Sequence, residues 1–194
     1  SDNDITKLPV SELSKDAQTA YDAGAKGVMM FRWGLSNFID FNKLNTHEIT
    51  PSYGDSVSIN SILAASASLK KYIEDKGVLP KFVTVGNFNY TVPQFLYLMT
   101  KATEGIANGN LKAITAILVN ASSKTSGDVI NKQLVKSEFV SLAKTLSSYM
   151  SANGIAPGNV SSTLGDIKYE SLIYAYARVL SYYQSNSALP NFVF

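Results

Sequence analysis

The stretch Leu79–Ala102, LPKFVTVGNFNYTVPQFLYLMTKA, sets a proline-led strand, a two-residue turn and an apolar helix back to back. Within it, FVTV and FNY flank Gly86-Asn87, a pair suited to the tip of a tight hairpin. Thr91-Val92-Pro93-Gln94 then opens the helix with a threonine cap, a proline in the first turn and a capping-box glutamine. Much of this order returns at Ala156–Leu180, APGNVSSTLGDIKYESLIYAYARVL. Either the echo is accidental, or a small unit is used several times.

Periodicity decides for the unit. Val57, Tyr90, Leu134 and Ile167 serve as marks: the step from Val57 to Tyr90 equals that from Leu134 to Ile167, and the step between is longer. Five positions past each mark stand Ile62, Phe95, Phe139 and Leu172; eight past, Ala65, Leu98, Leu142 and Ala175. Twelve past come Leu69, Ala102, Leu146 and Val179, and sixteen past come Ile73, Ile106, Met150 and Tyr183. These offsets fall on one face of a helix, so each copy predicts an amphipathic helix of about four turns. The ends agree too. Gly77, Asn108-Gly109 and Asn153-Gly154 are placed to stop the first three helices. Pro80, Pro157 and Pro190 each lie at one common offset from the marks Val57, Leu134 and Ile167, and the second copy has Ala113 there. The longer middle step is absorbed by a Ser/Gly-rich loop, Asn120–Ile130, between two halves offset by 77. So short a unit cannot bury its own apolar face, and the copies must stack. The expected fold is α-rich α+β: four strand-turn-helix repeats, at about 55–85, 86–119, 131–162 and 163–194, packed as two similar pairs in a domain 51–194.

Residues 1–50 differ. Ser11–Ala23 reads as a short helix closed by Gly24, and Gly27–Gly34, GVMMFRWG, as a strand buried on both faces. One helix and one strand do not make a sheet, so this appendage either pairs with the hairpins or ends a larger domain. DAGAKGVMMFRWG is similar to the last helix–strand step of glycosidase-type barrels.

Bulk properties narrow the function. The 194 residues are 45% apolar and 16% charged, with net charge +2 and no basic block, which gives no electrostatic case for nucleic acid. Cysteine is absent, which removes disulfides, thiolate metal sites and cysteine nucleophiles. No apolar run has membrane-spanning length, and Ser1 onward lacks a basic-then-apolar leader. The chain therefore reads as cytoplasmic, as a processed form or as part of something longer. Ser, Asn, Thr and Tyr are plentiful, a surface suited to bonding sugars or peptides. Sequons at Asn89, Asn120 and Asn159 permit glycosylation without arguing for it.

With the repeat established, LPKFV, LVKSEFVSLAKTL, APGNV and the closing LPNFVF resemble pseudomurein-binding repeats of methanogenic archaea and their viruses. The likeness covers most of Ser56–Phe194, and the second copy departs from it by lacking the proline. It implies strand-turn-helix units that tether an extracellular surface or wall-active protein to pseudomurein, the peptide-crosslinked glycan of those walls. Lytic members of that family carry a separate Cys-His-Asp domain. With no cysteine and one histidine, this chain lacks it, so the resemblance implies a non-catalytic module without cofactors. Two rival readings are a glycosidase fragment and a filament protein that self-associates by strand insertion.

Off the apolar stripe, Tyr97 and Lys101 of the second copy correspond to Tyr174 and Arg178 of the fourth. Each pair is spaced i, i+4, which sets a phenol beside a cation able to stack on a sugar and bond a carboxylate. The alternative is that both tyrosines pack against a neighbouring repeat while the cation reaches water. His47 has no second ligand nearby and reads as a loop residue; Asp40, Glu48 and Asp55 read as solvated loop acids. Tyr169, Tyr176, Tyr182 and Tyr183 lie on or beside the stripe and read mainly as core.

Overall fold

The computed structural model describes residues 54–128 and 132–194. The expected N-terminal helix and strand, and Asp40, His47 and Glu48, lie outside them. The first half runs β1 (Ser56–Val57), α1 (Ile59–Lys76), β2 (Phe82–Val85), β3 (Phe88–Thr91), α2 (Val92–Ala107) and β4 (Ile114–Thr115). The second half runs β5 (Leu134–Val135), α3 (Lys136–Asn153), β6 (Asn159–Ser162), β7 (Gly165–Lys168), α4 (Tyr169–Asn186) and β8 (Phe192–Val193). The class is α-rich α+β, as the sequence predicts.

Every mark residue sits in the strand that leads into a helix, and a second strand follows each helix. Each copy is thus strand–helix–strand, one strand more than the sequence suggested. The proline-less second copy still forms its closing strand, β4. Pairing is antiparallel and always between copies: β1 with β4, β2 with β3, β5 with β8, β6 with β7. A single copy has no ladder of its own. This is the backbone counterpart of its inability to bury one apolar face.

Local chemistry explains the turns and ends. In the first hairpin Val85 faces Phe88, leaving Gly86-Asn87 as the tip, with Gly86 at φ 61. Positive φ at the first tip residue suits glycine. The second hairpin has Thr163-Leu164 at its tip and carries its positive φ just beyond, at Gly165 (φ 104). At the start of α2 the capping box closes both ways: Thr91 Oγ1 accepts from the Gln94 amide, and Gln94 Oε1 accepts from the Thr91 amide at 3.0 Å. Ser58 caps α1, whereas α3 and α4 begin at Val135 and Lys168 with no side-chain cap. Gly77 and Gly154 end α1 and α3 in the left-handed conformation, and Ser187 does so for α4 at φ 54.

The core is continuous through all four copies. Ile62, Phe95, Phe139 and Leu172 are fully buried, and their counterparts eight and twelve positions past the marks are buried too. Strands pair within each half, but the helices do not respect that division. The most extensive helix contacts join α1 to α4 and α2 to α3, and α2 also meets α4. Exchanging the halves turns α1–α4 into α3–α2 and maps α2–α4 onto itself, so both halves play the same part. The segment after β4 is also less loop-like than its composition suggests. Asn120 bridges Ile155, Asp128 bridges Ile167, and the Ser126 hydroxyl accepts from the Asn159 amide at 2.9 Å.

Candidate functional site

The structure places Tyr97 and Lys101 on α2, and Tyr174 and Arg178 on α4, where Tyr174 meets α1 of the opposite half. Tyr97 is buried at 7% exposure and belongs to the core. Lys101 Nζ bonds Glu104 Oε2 at 3.0 Å, and the Ser147 hydroxyl of α3 donates to the same oxygen at 3.2 Å. Tyr174 is half-buried and donates to Glu74 Oε1 of α1 at 2.8 Å, while Lys70 holds Glu74 Oε2 at 2.7 Å. The Arg178 guanidinium lies 5.5 Å from the centre of the Tyr174 ring. Tyr174 thus ties α4 to α1, whereas on α2 the tie to α3 is made by Glu104, the partner of Lys101. The hydrogen bond from Lys70 and then that from Tyr174 hold the Glu74 carboxyl below the ordinary carboxylate range. Burial first, then the bond to Glu74, push the Tyr174 phenol up.

Both cations line clefts. One of about 360 Å³ lies between α2 and the chain that returns to β4, lined by Tyr97, Lys101, Glu104, Gly105, Ala113 and Thr115. Another, of about 240 Å³, lies between α4 and β8, lined by Arg178, Ser181, Tyr182, Pro190 and Phe192, with Lys70 reaching in from α1. A third, of about 420 Å³, lies between α1 and β2, lined by Ser68, Tyr72, Pro80 and Phe82. These are one cleft built three times, because its walls occupy four matching positions of the repeat. They are Ser68, Tyr72, Pro80, Phe82 in copy one; Lys101, Gly105, Ala113, Thr115 in copy two; Arg178, Tyr182, Pro190, Phe192 in copy four. The proline-led signature is therefore a cleft wall as well as a strand start.

Only copies one and four keep both rings; copy three has Tyr149 but Asn159 in place of the phenylalanine. Tyr72 and Tyr182 are 39% and 47% exposed, and Phe192 is 49% exposed. In copy two an aromatic cannot enter, because a Cβ on Gly105 would stand 2.6 Å from the Asn110 carbonyl oxygen. Reading Tyr182 mainly as core was therefore wrong. Tyr169 and Tyr176 are buried, and Tyr183 is half-buried against the core. The missed signal was the recurrence of tyrosine at one position of the repeat, at Tyr72, Tyr149 and Tyr182, one step off the apolar stripe.

A larger cleft, about 510 Å³, lies between the first turn of α1, residues 111–113 and the end of α4, but no charged side chain lines it. Among the described residues no group of three His, Asp or Glu side chains is placed to hold a metal ion. Asp55 is half-buried, with its backbone carbonyl accepting from Ala116 at 2.8 Å. No described helix is long and apolar enough to cross a membrane. No family model matches the chain, and no curated protein matches it.

Proposed function

We propose that this chain is a non-catalytic binding module that anchors an extracellular surface or wall-active protein to pseudomurein. The observation that carries the reading is the recurrent cleft, whose tyrosine, proline and phenylalanine occupy the same offsets in copies one and four. Exposed rings beside a cation and hydroxyls suit a polymer of sugars and short peptides, since aromatic faces take C–H surfaces while the polar groups fix orientation. The resemblance of the proline-led signatures to wall-binding repeats supplies the identity of the polymer. Of the four residues first singled out, Tyr97, Lys101 and Arg178 line clefts, while Tyr174 acts as a support through its bond to Glu74.

The test is retention. Labelled protein incubated with purified pseudomurein sacculi should pellet with them and should release no wall fragments. Protein left wholly in the supernatant contradicts anchoring, and released fragments contradict a non-catalytic module.

A further inference from the structure

Two seams join the halves, α1 against α4 and α2 against α3, and they have diverged. Along the α1–α4 seam both flanking clefts keep their rings: Tyr72 and Phe82 on one side, Tyr182 and Phe192 on the other. Lys70 links the two, because it projects into the α4 cleft while Ser68 and Tyr72, within one turn of it on α1, line the other. Arg178 stands in the same cleft and makes no ion pair within 4 Å among the described residues.

The α2–α3 seam keeps one exposed ring, Tyr149 of copy three, and has lost the rest. Gly105 and Thr115 replace the rings of copy two, and Asn159 stands where copies one and four have Phe82 and Phe192. Glu104 neutralises Lys101 at 3.0 Å, whereas its counterpart in copy four is Ser181. One seam therefore offers two aromatic clefts and a guanidinium with no carboxylate directly on it; the other offers neither.

We infer that the α1–α4 seam is a single binding surface for an acidic oligosaccharide, which lays one sugar face in each cleft and a carboxylate on Arg178. Two clefts on one rigid pair of helices act as linked sites. A chain long enough to reach both gains over a short one with no new type of contact. The guanidinium selects a carboxylate through paired N–H donors, and the exposed rings select sugar over a bare acid. This inference rests on the wall-binding reading but names the seam and the ligand chemistry independently of it.

The test is a titration of the isotope-labelled protein, followed by NMR, with a hexasaccharide of alternating glucuronate and N-acetylglucosamine. The matching disaccharide and the neutral N-acetylglucosamine hexamer serve as comparisons. Saturable shifts are expected at Tyr72, Phe82, Tyr182 and Phe192 together, with the acidic hexamer at least tenfold tighter than the disaccharide. Tyr72→Ala and Tyr182→Ala should each weaken it about tenfold, and Arg178→Gln should remove its advantage over the neutral hexamer. Tyr149→Ala, the matching change in copy three, should alter nothing; all three tyrosines are exposed, so the folds should survive. Absence of saturable shifts, shifts at one cleft only, or an equal loss in Tyr149→Ala would overturn the inference. Retention on sacculi separates the two proposals. A retained protein that ignores the hexamer overturns this inference alone, and an unretained protein that binds it overturns the anchoring reading alone.

Discussion

Two buried tyrosines on α4 show how one hydroxyl can be structural and another dispensable. Tyr176 is fully buried and donates to the Phe139 carbonyl oxygen at 2.9 Å, joining α4 to α3. The Tyr169 hydroxyl is buried with no hydrogen-bond partner among the described residues, and its counterpart in copy two is Val92. Burial pushes both phenols well above their ordinary range. Tyr176→Phe should cost about 1 kcal/mol in urea unfolding, because a buried hydrogen bond between α4 and α3 is lost. Tyr169→Phe should be neutral or stabilising by up to about 1 kcal/mol. Glu74 sets a pH dependence. Its folded pKa lies below the ordinary 4.5, so its contribution is fully present above that value and is lost as pH falls through the lowered folded one. The gap in urea midpoint between the unmodified protein and Glu74→Gln should therefore be constant near neutrality and close progressively as pH falls below that ordinary value. At this scale the sequence was only partly legible. The i, i+4 spacing of Tyr174 and Arg178 correctly made them neighbours, but no spacing rule reveals that Glu74, far away on α1, accepts from the phenol.

At the scale of elements, caps distinguish the two halves. The complete capping box on α2 was readable from Thr91 and Gln94 because both partners lie within one turn. Thr91→Ala should cost about 1 kcal/mol of thermal stability. In copy four Lys168 takes the place of Thr91, and α4 starts without a side-chain acceptor. Ser187 closes the same helix in a conformation that favours glycine, where α1 and α3 have Gly77 and Gly154. Ser187→Gly should accordingly stabilise by about 0.5 kcal/mol, since relief of left-handed strain exceeds the extra chain entropy. Helices and hairpins were legible because period, tip and cap are local signals. The short strands β1, β4, β5 and β8 were harder. Two-residue strands carry no alternation, and each pairs across almost the whole of its half, Ser56 with Thr115 and Leu134 with Val193. The exposed tyrosines were lost for a different reason. A ring one position off the stripe counts as apolar in composition, and only comparison across copies shows that the position itself recurs.

The molecule as a whole depends on contacts between halves that a linear stack of repeats would not make. Since α1 packs chiefly on α4 and α2 on α3, residues 54–119 alone would leave both helical stripes uncovered. That fragment should show no cooperative unfolding transition by circular dichroism, and adding residues 120–194 should restore one; a cooperative transition in the isolated half would argue for independent domains. The same exchange of partners brings copies one and four side by side and so assembles the clefts that keep their rings. The copy number and the offset between halves were written in the sequence. The choice of helix partners was not, because all four stripes are apolar and any two could meet. The most direct measurement is a sedimentation assay on pseudomurein sacculi that compares the unmodified protein with the Tyr72→Ala, Tyr182→Ala double variant. The account predicts that the first pellets with the walls while the second, equally folded, stays in solution; equal pelleting of both would contradict it.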